Sequence, residues 1–368
     1  MNVVWFSWKD IKHPLAGGAE RVTDNLLRGL VHDGHTVKLI TSRPPGAAST
    51  EIINGYQVIR HGSRYGVYWH SFRYYRKHLQ RWADIVFDEV NTIPFFACLY
   101  SKKPTTTFIH QLAGKVWFYQ MKQPLSRIGF WLEPFYLRLL RSTPAITISN
   151  STRQDLIKVG FAAQRVSVIR EGIELIPIKQ VTIREKYPRP TLLSLGSVRP
   201  MKRTIDIFYA FEHAKQSVPE LRLIIAGNLN GSYGRQLTNL VDKSRFRKDI
   251  DLLGSVSIEK KRELMLKSHL MAITSIKEGW CLTVTEANSQ GTPVVAYNVD
   301  GLRDSIKNGE TGLITPESPV ALGEAIAGLI VDPNRLKNFS QLALEDSRQY
   351  TFDLAYQDFK KVVAQNPE

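Results

Sequence analysis

Cysteine is scarce in this chain of 368 residues, which contains only Cys98 and Cys281. Two cysteines so far apart argue against a disulfide scaffold and fit a reducing cytoplasm. Long hydrophobic runs are also missing, because no stretch approaches the roughly 20 apolar residues that a membrane-spanning helix needs. The first apolar run, Val3–Phe6, is short and lacks a charged lead, so we expect no secretory signal. Internal repeats and low-complexity tracts are absent as well.

Acidic residues are outnumbered. The chain has 34 Asp and Glu against 49 Lys and Arg, which gives a formal net charge of +15. This excess predicts attraction to an anionic partner, such as a nucleoside diphosphate, a phospholipid surface or nucleic acid. A hydrophobic content of 43% is normal for a globular protein with full cores, and the length suits two domains of ordinary size.

Strands and helices alternate from the amino terminus onward. Val3–Phe6 reads as a buried strand, Glu20–Leu30 has helical periodicity, and Thr36–Thr41 is the next strand. Glycines lie near the helix start, but there is no Gly-x-Gly-x-x-Gly fingerprint, so a dinucleotide redox enzyme is not indicated. Further strands are predicted at 84–88, 105–109, 145–149 and 166–169. The alternation favours a doubly wound parallel sheet.

A second α/β series follows a linker rich in charge and proline at 176–190. Its strands are predicted at 191–195, 222–226, 250–253, 270–274 and 293–296, with helices at 204–216 and 259–267. A final helix is predicted at 353–364. The restart predicts two similar domains facing a cleft, at 1–175 and 191–349. We also expect residues 350–368 to pack back on the first domain.

The most informative stretch contains Glu278, seven intervening residues, Glu286, and then Gly291-Thr-Pro-Val-Val-Ala296. It reads as a loop, a helix start, a short helix, a turn and a buried strand. A helix start offers free N–H groups and a positive dipole end, which suit a phosphate. Eight residues on a helix is a little over two turns, so the two carboxylates could face one cleft at different depths and hold hydroxyls at two places along an extended ligand. A nucleotide-sugar has that layout; two solvated glutamates beside an ordinary βα unit are the alternative.

A basic turn follows the first strand of the second half, in Leu195-Gly-Ser-Val-Arg-Pro-Met-Lys-Arg203. A strand-end glycine followed by Arg199, Lys202 and Arg203 suits a diphosphate clamp, because cations neutralise charge that grows on a leaving phosphate. A basic surface turn is the alternative interpretation.

Together these residues resemble the retaining GT-B glycosyltransferases of family 4, and the resemblance spans nearly the whole chain. It rests on the basic turn, the paired glutamates, the Gly291–Ala296 turn and strand, and the loops 299–306 and 308–314. In the first half, Gly17-Gly18, His110 and Ser149-Asn-Ser-Thr152 match as well. The resemblance implies transfer of a sugar from a nucleoside diphosphate, UDP or GDP, with retention of configuration. It implies no required cofactor or metal ion.

The resemblance also assigns roles to residues. Gly17 and Gly18 would let the backbone approach the diphosphate and the acceptor, and His110 would bond a hydroxyl of the reacting sugar. Lys202 with Arg199 would bind the diphosphate beside Gly196 and Ser197. Glu278 would hold sugar hydroxyls, and Glu286 would accept both ribose hydroxyls. Backbone amides would complete the grip, those of Gly279, Trp280, Cys281 and Leu282 on the sugar and those of Thr283 and Val284 on the distal phosphate.

Three departures from the family pattern are visible. Ser197 stands where the family usually has Arg, and Arg199 is the expected substitute. Gly279-Trp-Cys-Leu282 replaces the usual Gly-Phe-Gly-Leu, and Glu171-Gly172 replaces a common Asn-Gly. Asp249-Ile-Asp251 looks like a metal-binding motif, but it begins an apolar strand and is assigned to structure.

Two segments rich in aromatic and basic residues bear on the acceptor. Residues 64–82 carry seven aromatics, five Lys or Arg and no acid, and residues 115–141 have a similar character. They predict either contact with an anionic membrane face or a groove for a lipid-linked or glycan acceptor. Alternatively their rings lie in the core and their cations are solvated. No RNA-binding module accompanies them, so no nucleic acid partner is expected.

The leading hypothesis is therefore a glycosyltransferase of surface-polysaccharide or glycolipid assembly, in the cytoplasm or at the inner face of the cell membrane. An epimerase or phosphorylase on the same scaffold is one alternative. A non-catalytic basic binding protein is another, and Ser197 leaves room for it.

Overall fold

The computed structural model describes residues 1–182 and 185–365. It divides into two compact units, Met1–Gly172 with the segment from Thr351 onward, and Ile173–Tyr350. The segment 176–190, interpreted from sequence as a linker, falls in the second unit, and its residues 183 and 184 lie outside the described residues. Residues 366–368 of the expected tail also lie outside them.

The first unit is built on an eight-stranded sheet in the order β3-β4-β2-β1-β5-β6-β7-β8. All neighbours are parallel except β3, which pairs antiparallel with β4 at the edge. The strands are β1 Asn2–Phe6, β2 Thr36–Thr41, β3 Thr50–Ile53, β4 Tyr56–Arg60, β5 Ile85–Val90, β6 Thr105–Ile109, β7 Ala145–Thr147 and β8 Val166–Val168.

Six helices of the first unit are α1 Gly18–His32, α2 Val67–Tyr74, α3 Trp117–Gln120, α4 Leu125–Leu140, α5 Asn150–Lys158 and, from the carboxyl end of the chain, α13 Phe352–Gln365. Helix α13 packs on α1, where the Tyr356 hydroxyl donates to Asp33 at 2.8 Å. Its Phe359 ring lies 6.0 Å from Trp5, which itself stacks on Phe87 at 4.6 Å. The carboxyl-terminal helix thus completes the first core.

The second unit holds a wholly parallel six-stranded sheet in the order β11-β10-β9-β12-β13-β14. Its strands are β9 Thr191–Leu195, β10 Arg222–Ala226, β11 Ile250–Gly254, β12 Leu270–Ile273, β13 Val294–Tyr297 and β14 Gly312–Thr315. Its helices are α6 Thr204–Ala214, α7 Ser232–Lys243, α8 Ile258–Lys267, α9 Leu282–Ser289, α10 Leu302–Ser305, α11 Pro319–Ile330 and α12 Pro333–Ser347. Two parallel-sheet α/β units confirm the predicted fold class. β3, β4 and β14 were not predicted.

None of the helices within the described residues has the length and apolar character that crossing a membrane requires.

Candidate functional site

The predicted site residues of the second unit gather after three neighbouring strands. The turn after β9 carries Lys202, the loop after β12 carries Glu278, and the loop after β13 carries Gly301. The carboxyl ends of parallel strands meet at one sheet edge, and ligands of α/β sheets bind there. The sequence therefore folds these distant segments into one place.

Lys202 and Glu278 form an ion pair between the Nζ atom and Oε1. Ser275 also donates its hydroxyl to that carboxylate oxygen. Burial opposes the charge on Lys202, but Glu278 outweighs burial, so the pKa of Lys202 is raised and its ammonium persists at neutral pH. The site thus holds a fixed cation beside a fixed carboxylate.

The backbone of Glu278 is held closely by the next loop. Its N–H donates to the carbonyl of Asp300 at 3.0 Å. Gly301 follows with a φ of +78°, and a Cβ there would lie 2.4 Å from the Glu278 carbonyl oxygen. Only glycine fits such a close approach in this conformation. Gly301 is therefore a determinant of the Glu278 position.

The turn before Lys202 is shaped by backbone and by the next residue. Gly196 has a φ of +144°. Arg203 has a φ of +48°. Its guanidinium donates to the carbonyls of Thr274 and Ser275 in the β12 loop, at 2.6 and 2.8 Å. Arg203 thus fastens the β9 turn to the β12 loop, a positioning role that the sequence did not distinguish from diphosphate binding. The exposed Arg199 and Ser197 lie on the outer part of the turn.

Helix α9 begins at Leu282, and Cys281 is its cap residue in the left-handed conformation with a φ of +82°. Glycine adopts that conformation without strain, whereas other residues do so rarely. The Trp280 indole donates to the Thr285 hydroxyl at 2.9 Å. The first amides of α9, from Leu282 and Thr283, point out of the helix start as an anion site requires.

Glu286 is buried in the second turn of α9 and pairs with Lys261 of α8, whose Nζ lies 2.5 Å from Oε1. Lys261 was not predicted from the sequence. One suggestion made from the spacing is wrong: Glu278 and Glu286 do not share a helix, because Glu278 lies in the loop before α9. Their separation is set by a loop and one helical turn.

In the first unit, His110 follows β6 and is buried between two carboxylates. Its Nε2 lies 3.3 Å from Oε1 of Glu89, and its Nδ1 lies 3.9 Å from Oε1 of Glu171. Burial alone would lower the pKa of His110, but Glu171 and Glu89 together raise it to about 9. The backbone carbonyl of His110 accepts from the Thr152 hydroxyl at 3.2 Å. The two carboxylates thus favour the protonated form of His110.

The other carboxylate oxygen of Glu89 is fully engaged. Oε2 accepts from the Trp5 indole at 2.7 Å and from the Thr23 hydroxyl at 2.8 Å. Trp5 lies in β1 and Thr23 in α1, so Glu89 joins these elements to His110. Neither Glu89 nor Glu171 was singled out from sequence as a contributor.

Gly17 and Gly18 begin α1. The Gly17 N–H donates to Oε2 of Glu20 at 2.6 Å, and the other oxygen of Glu20 pairs with Lys9 at 3.0 Å. A Cβ at Gly17 would meet its nearest neighbour at 3.7 Å, an ordinary contact. Close approach of a ligand to these glycines stays a prediction.

Both aspartates of the Asp-x-Asp motif form ion pairs with neighbouring basic residues. Asp249 pairs with Arg189 at 2.6 Å and Lys215 at 2.8 Å, and Asp251 pairs with Arg222 at 2.6 Å. Among residues 1–182 and 185–365, no group of three His, Cys, Asp or Glu is placed to hold a metal ion.

Comparison with protein families gives two matches that together cover most of the chain. The family described as Glycosyltransferase Family 4 matches residues 16–175, and that described as Glycosyl transferases group 1 matches residues 178–346.

Curated relatives are more distant. The chain is 27% identical over 246 residues to an exopolysaccharide phosphotransferase of Streptomyces coelicolor, and the aligned region covers 66% of this chain and 25% of that protein. It is 25% identical over 241 residues to a D-inositol 3-phosphate glycosyltransferase of Xylanimonas cellulosilytica, covering 61% and 57%. The chain thus spans less than two thirds of the length of these relatives.

Solved structures share the fold over full length. Sucrose-phosphate synthase from Thermosynechococcus elongatus superimposes with a TM-score of 0.79 at 18% identity, covering 99% of this chain and 98% of that one. Anabaena HepE in complex with UDP-glucose gives a TM-score of 0.70 at 16% identity, covering 99% and 100%.

Proposed function

Because the chain belongs to the group 1, family 4 glycosyltransferases of GT-B fold, we propose that it is a retaining hexosyltransferase. Its donor is a nucleoside-diphosphate sugar, linked to UDP or GDP. Its acceptor is a glycan, a glycolipid or a lipid-linked saccharide, in cell-surface polysaccharide synthesis. The HepE structure holds UDP-glucose, which supports this donor class.

The observation that carries the proposal is the fixed Lys202–Glu278 pair beside the start of α9. A diphosphate needs cations and backbone N–H groups, and a sugar needs a carboxylate that accepts from its hydroxyls. This edge of the sheet offers all three. Lys202 would turn toward the diphosphate when the donor binds, leaving Glu278 to the sugar.

The chemistry follows from those charges. The bond between the anomeric carbon and the diphosphate oxygen breaks, and the acceptor oxygen forms a bond on the same face. The departing phosphate takes the acceptor proton, while Lys202 and Arg199 stabilise its growing charge. Such preorganised electrostatics is worth several kcal/mol, on the order of 3, per well-placed group. Catalysis requires no metal ion in this scheme.

Glu286 and His110 have supporting roles in the proposal. Glu286 accepts from the ribose hydroxyls, and Lys261 pairs with that buried carboxylate. His110, as an imidazolium, donates to a hydroxyl of the transferred sugar. A group that already carries both protons cannot serve as the general base.

The test is donor binding followed by turnover. A thermal-shift screen of nucleoside diphosphates and their sugars identifies the base, and Lys202→Ala and Glu278→Ala are then compared with the unaltered chain. We expect each to fold normally and to lose about 10²-fold to 10³-fold in kcat. Tyr209→Phe, an exposed position on α6, is the control. Unchanged rates in Lys202→Ala or Glu278→Ala would refute the assigned role.

Incubation of the chain with its donor and no acceptor separates the alternatives. An epimerase would change the sugar unaided, a phosphorylase would need inorganic phosphate, and the proposed transferase would leave the sugar unchanged apart from slow hydrolysis. A non-catalytic binding protein would show no saturable nucleotide binding. Strong loss of nucleotide affinity in Glu286→Ala would count against that last reading.

The proposed location is the cytoplasm, at the inner face of the cell membrane. A basic chain that modifies lipid-linked or surface saccharides meets its acceptor at that face.

A further inference from the structure

Helix α4 exposes a continuous apolar stripe. Its six members are at least 49% exposed: Leu125, Ile128, Trp131, Leu132, Phe135 and Leu139. At 3.6 residues per turn they fall within a sector of about 120°. The neighbouring α3 adds Phe118, which is 42% exposed and contacts Phe130 of α4. Monomeric proteins rarely leave such a patch open without a partner.

The opposite side of α4 is already used by the fold. Gly129, Glu133, Leu137 and Leu140 are on its buried face. The Glu133 carboxylate accepts from the amides of Ala113 and Gly114, each at 2.6 Å. The exposed stripe is therefore a second apolar face, distinct from the one that packs on the core.

Charge around the stripe has one sign. The three arginines Arg127, Arg138 and Arg141 are exposed and lie along one flank of α4 by helical spacing. Residues 52–154 contain 14 Lys and Arg but four Asp and Glu, and so supply +10 of the chain's +15. Of those four acids, all within the described residues, Asp88, Glu89 and Glu133 are buried. An apolar stripe flanked by cations fits an anionic surface with an apolar interior.

We propose that α4 is the element with which the chain docks on an anionic lipid bilayer, its stripe in the interfacial layer and its arginines among the lipid head groups. This inference rests on the proposed location and adds the surface that produces it. A protein partner or a second copy would fit the stripe, but neither accounts for the concentration of positive charge in this segment.

The other aromatic and basic segment, residues 64–82, differs in its packing. Tyr75 is fully buried, Tyr68 contacts Phe95 at 4.8 Å, and Phe72 contacts Tyr100 at 4.9 Å. Trp69 and Tyr65 are its exposed large rings. The alternative offered from sequence, with rings in the core and cations in solvent, therefore describes most of this segment but not α4.

Docking by α4 also bears on the acceptor. Through Glu133, the helix is fixed to the loop that begins three residues after His110. The proposed bilayer-binding helix and the proposed sugar-binding histidine thus belong to the same unit. A lipid-linked acceptor would reach that unit without leaving the membrane.

The experiment uses sedimentation of the full chain with vesicles of pure phosphatidylglycerol or pure phosphatidylcholine, at low and high salt. We expect binding to the anionic vesicles only, weakened by salt. Trp131→Ser should reduce the partition coefficient about tenfold or more, because a large apolar side chain is removed from the interface. Trp69→Ser is the matched control, since Trp69 is 60% exposed and Trp131 is 68% exposed. It should bind vesicles as the unaltered chain does.

The arginine flank gives a second arm. Arg127→Gln and Arg138→Gln should each weaken binding to phosphatidylglycerol about fivefold, since a cation near an anionic surface contributes about 1 kcal/mol. Calorimetry with a nucleoside diphosphate should give the same affinity for all these variants, which shows that the donor site and the fold are intact.

Three results would overturn the inference. The first is an absence of vesicle binding at low salt, and the second is an equal loss of vesicle binding in Trp69→Ser and Trp131→Ser. The third is a dimer in sedimentation analysis that Trp131→Ser dissociates and that vesicles do not affect. None of them depends on turnover. If the transferase proposal failed while Trp131-dependent vesicle binding held, the docking surface would stand on its own.

Discussion

The carboxylates around His110 give a prediction that can be worked through quantitatively. The imidazole is buried, which alone would lower its pKa, yet Glu171 and Glu89 raise that pKa to about 9. Replacing Glu171 with Gln keeps the shape of the side chain and removes one negative charge. We expect the pKa of His110 to fall, because burial then faces a single carboxylate.

The magnitude follows from linkage. Raising the pKa of a histidine from 6.5 to about 9 corresponds to about 3 kcal/mol of stability. Since the folded-state pKa lies above the unfolded one, this contribution is fully present below about pH 6.5 and is lost as pH rises through about 9. Glu171→Gln should therefore be less stable than the unaltered chain at about pH 6, and the difference should shrink by about pH 10.

The assay has a direct and an indirect part. Side-chain NMR signals of the nine histidines are titrated, and one should titrate near pH 9, vanish in His110→Gln and move to lower pH in Glu171→Gln. Urea midpoints are measured across the same range. Asp24→Asn, which removes a carboxylate that contacts Tyr56 instead, is the control and should leave that histidine unchanged. The reasoning is wrong if every histidine titrates below pH 7, or if Glu171→Gln leaves the high titration in place.

Three further predictions concern pairs and strain in the structure. Lys261→Met leaves the buried Glu286 carboxylate without its cation, so nucleotide affinity measured by calorimetry should fall about tenfold. An unchanged affinity would show that this ion pair is not part of the donor site. Cys281→Gly should bind nucleotide as tightly as the unaltered chain. Cys281→Val places a β-branched residue at a φ of +82° and should lower the free energy of unfolding by about 1–2 kcal/mol, so equal urea midpoints for Cys281→Val and the unaltered chain would contradict this expectation. Arg60→Met leaves the buried carboxylate of Asp10, 2.7 Å from the Arg60 guanidinium, without its cation, and should lower the free energy of unfolding by about 3–5 kcal/mol. A loss below about 1 kcal/mol would contradict the role of this buried ion pair.

The architecture was largely predictable because its strands are buried on both faces and read as apolar runs. Val3–Phe6 and Val294–Tyr297 are examples. The edge hairpin of β3 and β4 was missed, although Asn54-Gly55 between them is a turn dipeptide of the kind that connects hairpins. A search for two-residue turns would have found it.

The site was predictable in its parts but not in its pairings. A helix start and a short helix were expected within the stretch from Glu278 to Ala296, and α9 lies in that stretch. Lys261 had no such signal, since it lies 25 residues before Glu286 on another helix and is brought to it by the packing of α8 on α9. Glu89 and Glu171 reach His110 from separate segments in the same way.

The two aromatic and basic segments show that composition alone does not predict which aromatic side chains are buried. Both are rich in rings and cations, yet Tyr75 is fully buried while Phe135 is 61% exposed. In α4 the apolar positions cover two sectors of the helix, and one core can cover only one of them. Glu133 helps to fix which sector meets the core, because its carboxylate accepts from the amides after β6 on the same face as the buried Leu137 and Leu140. Glu133→Leu removes this buried polar contact, so it should loosen α4 and reduce vesicle binding even though it adds an apolar side chain. Increased binding would show that hydrophobicity, and not the orientation of the helix, governs docking.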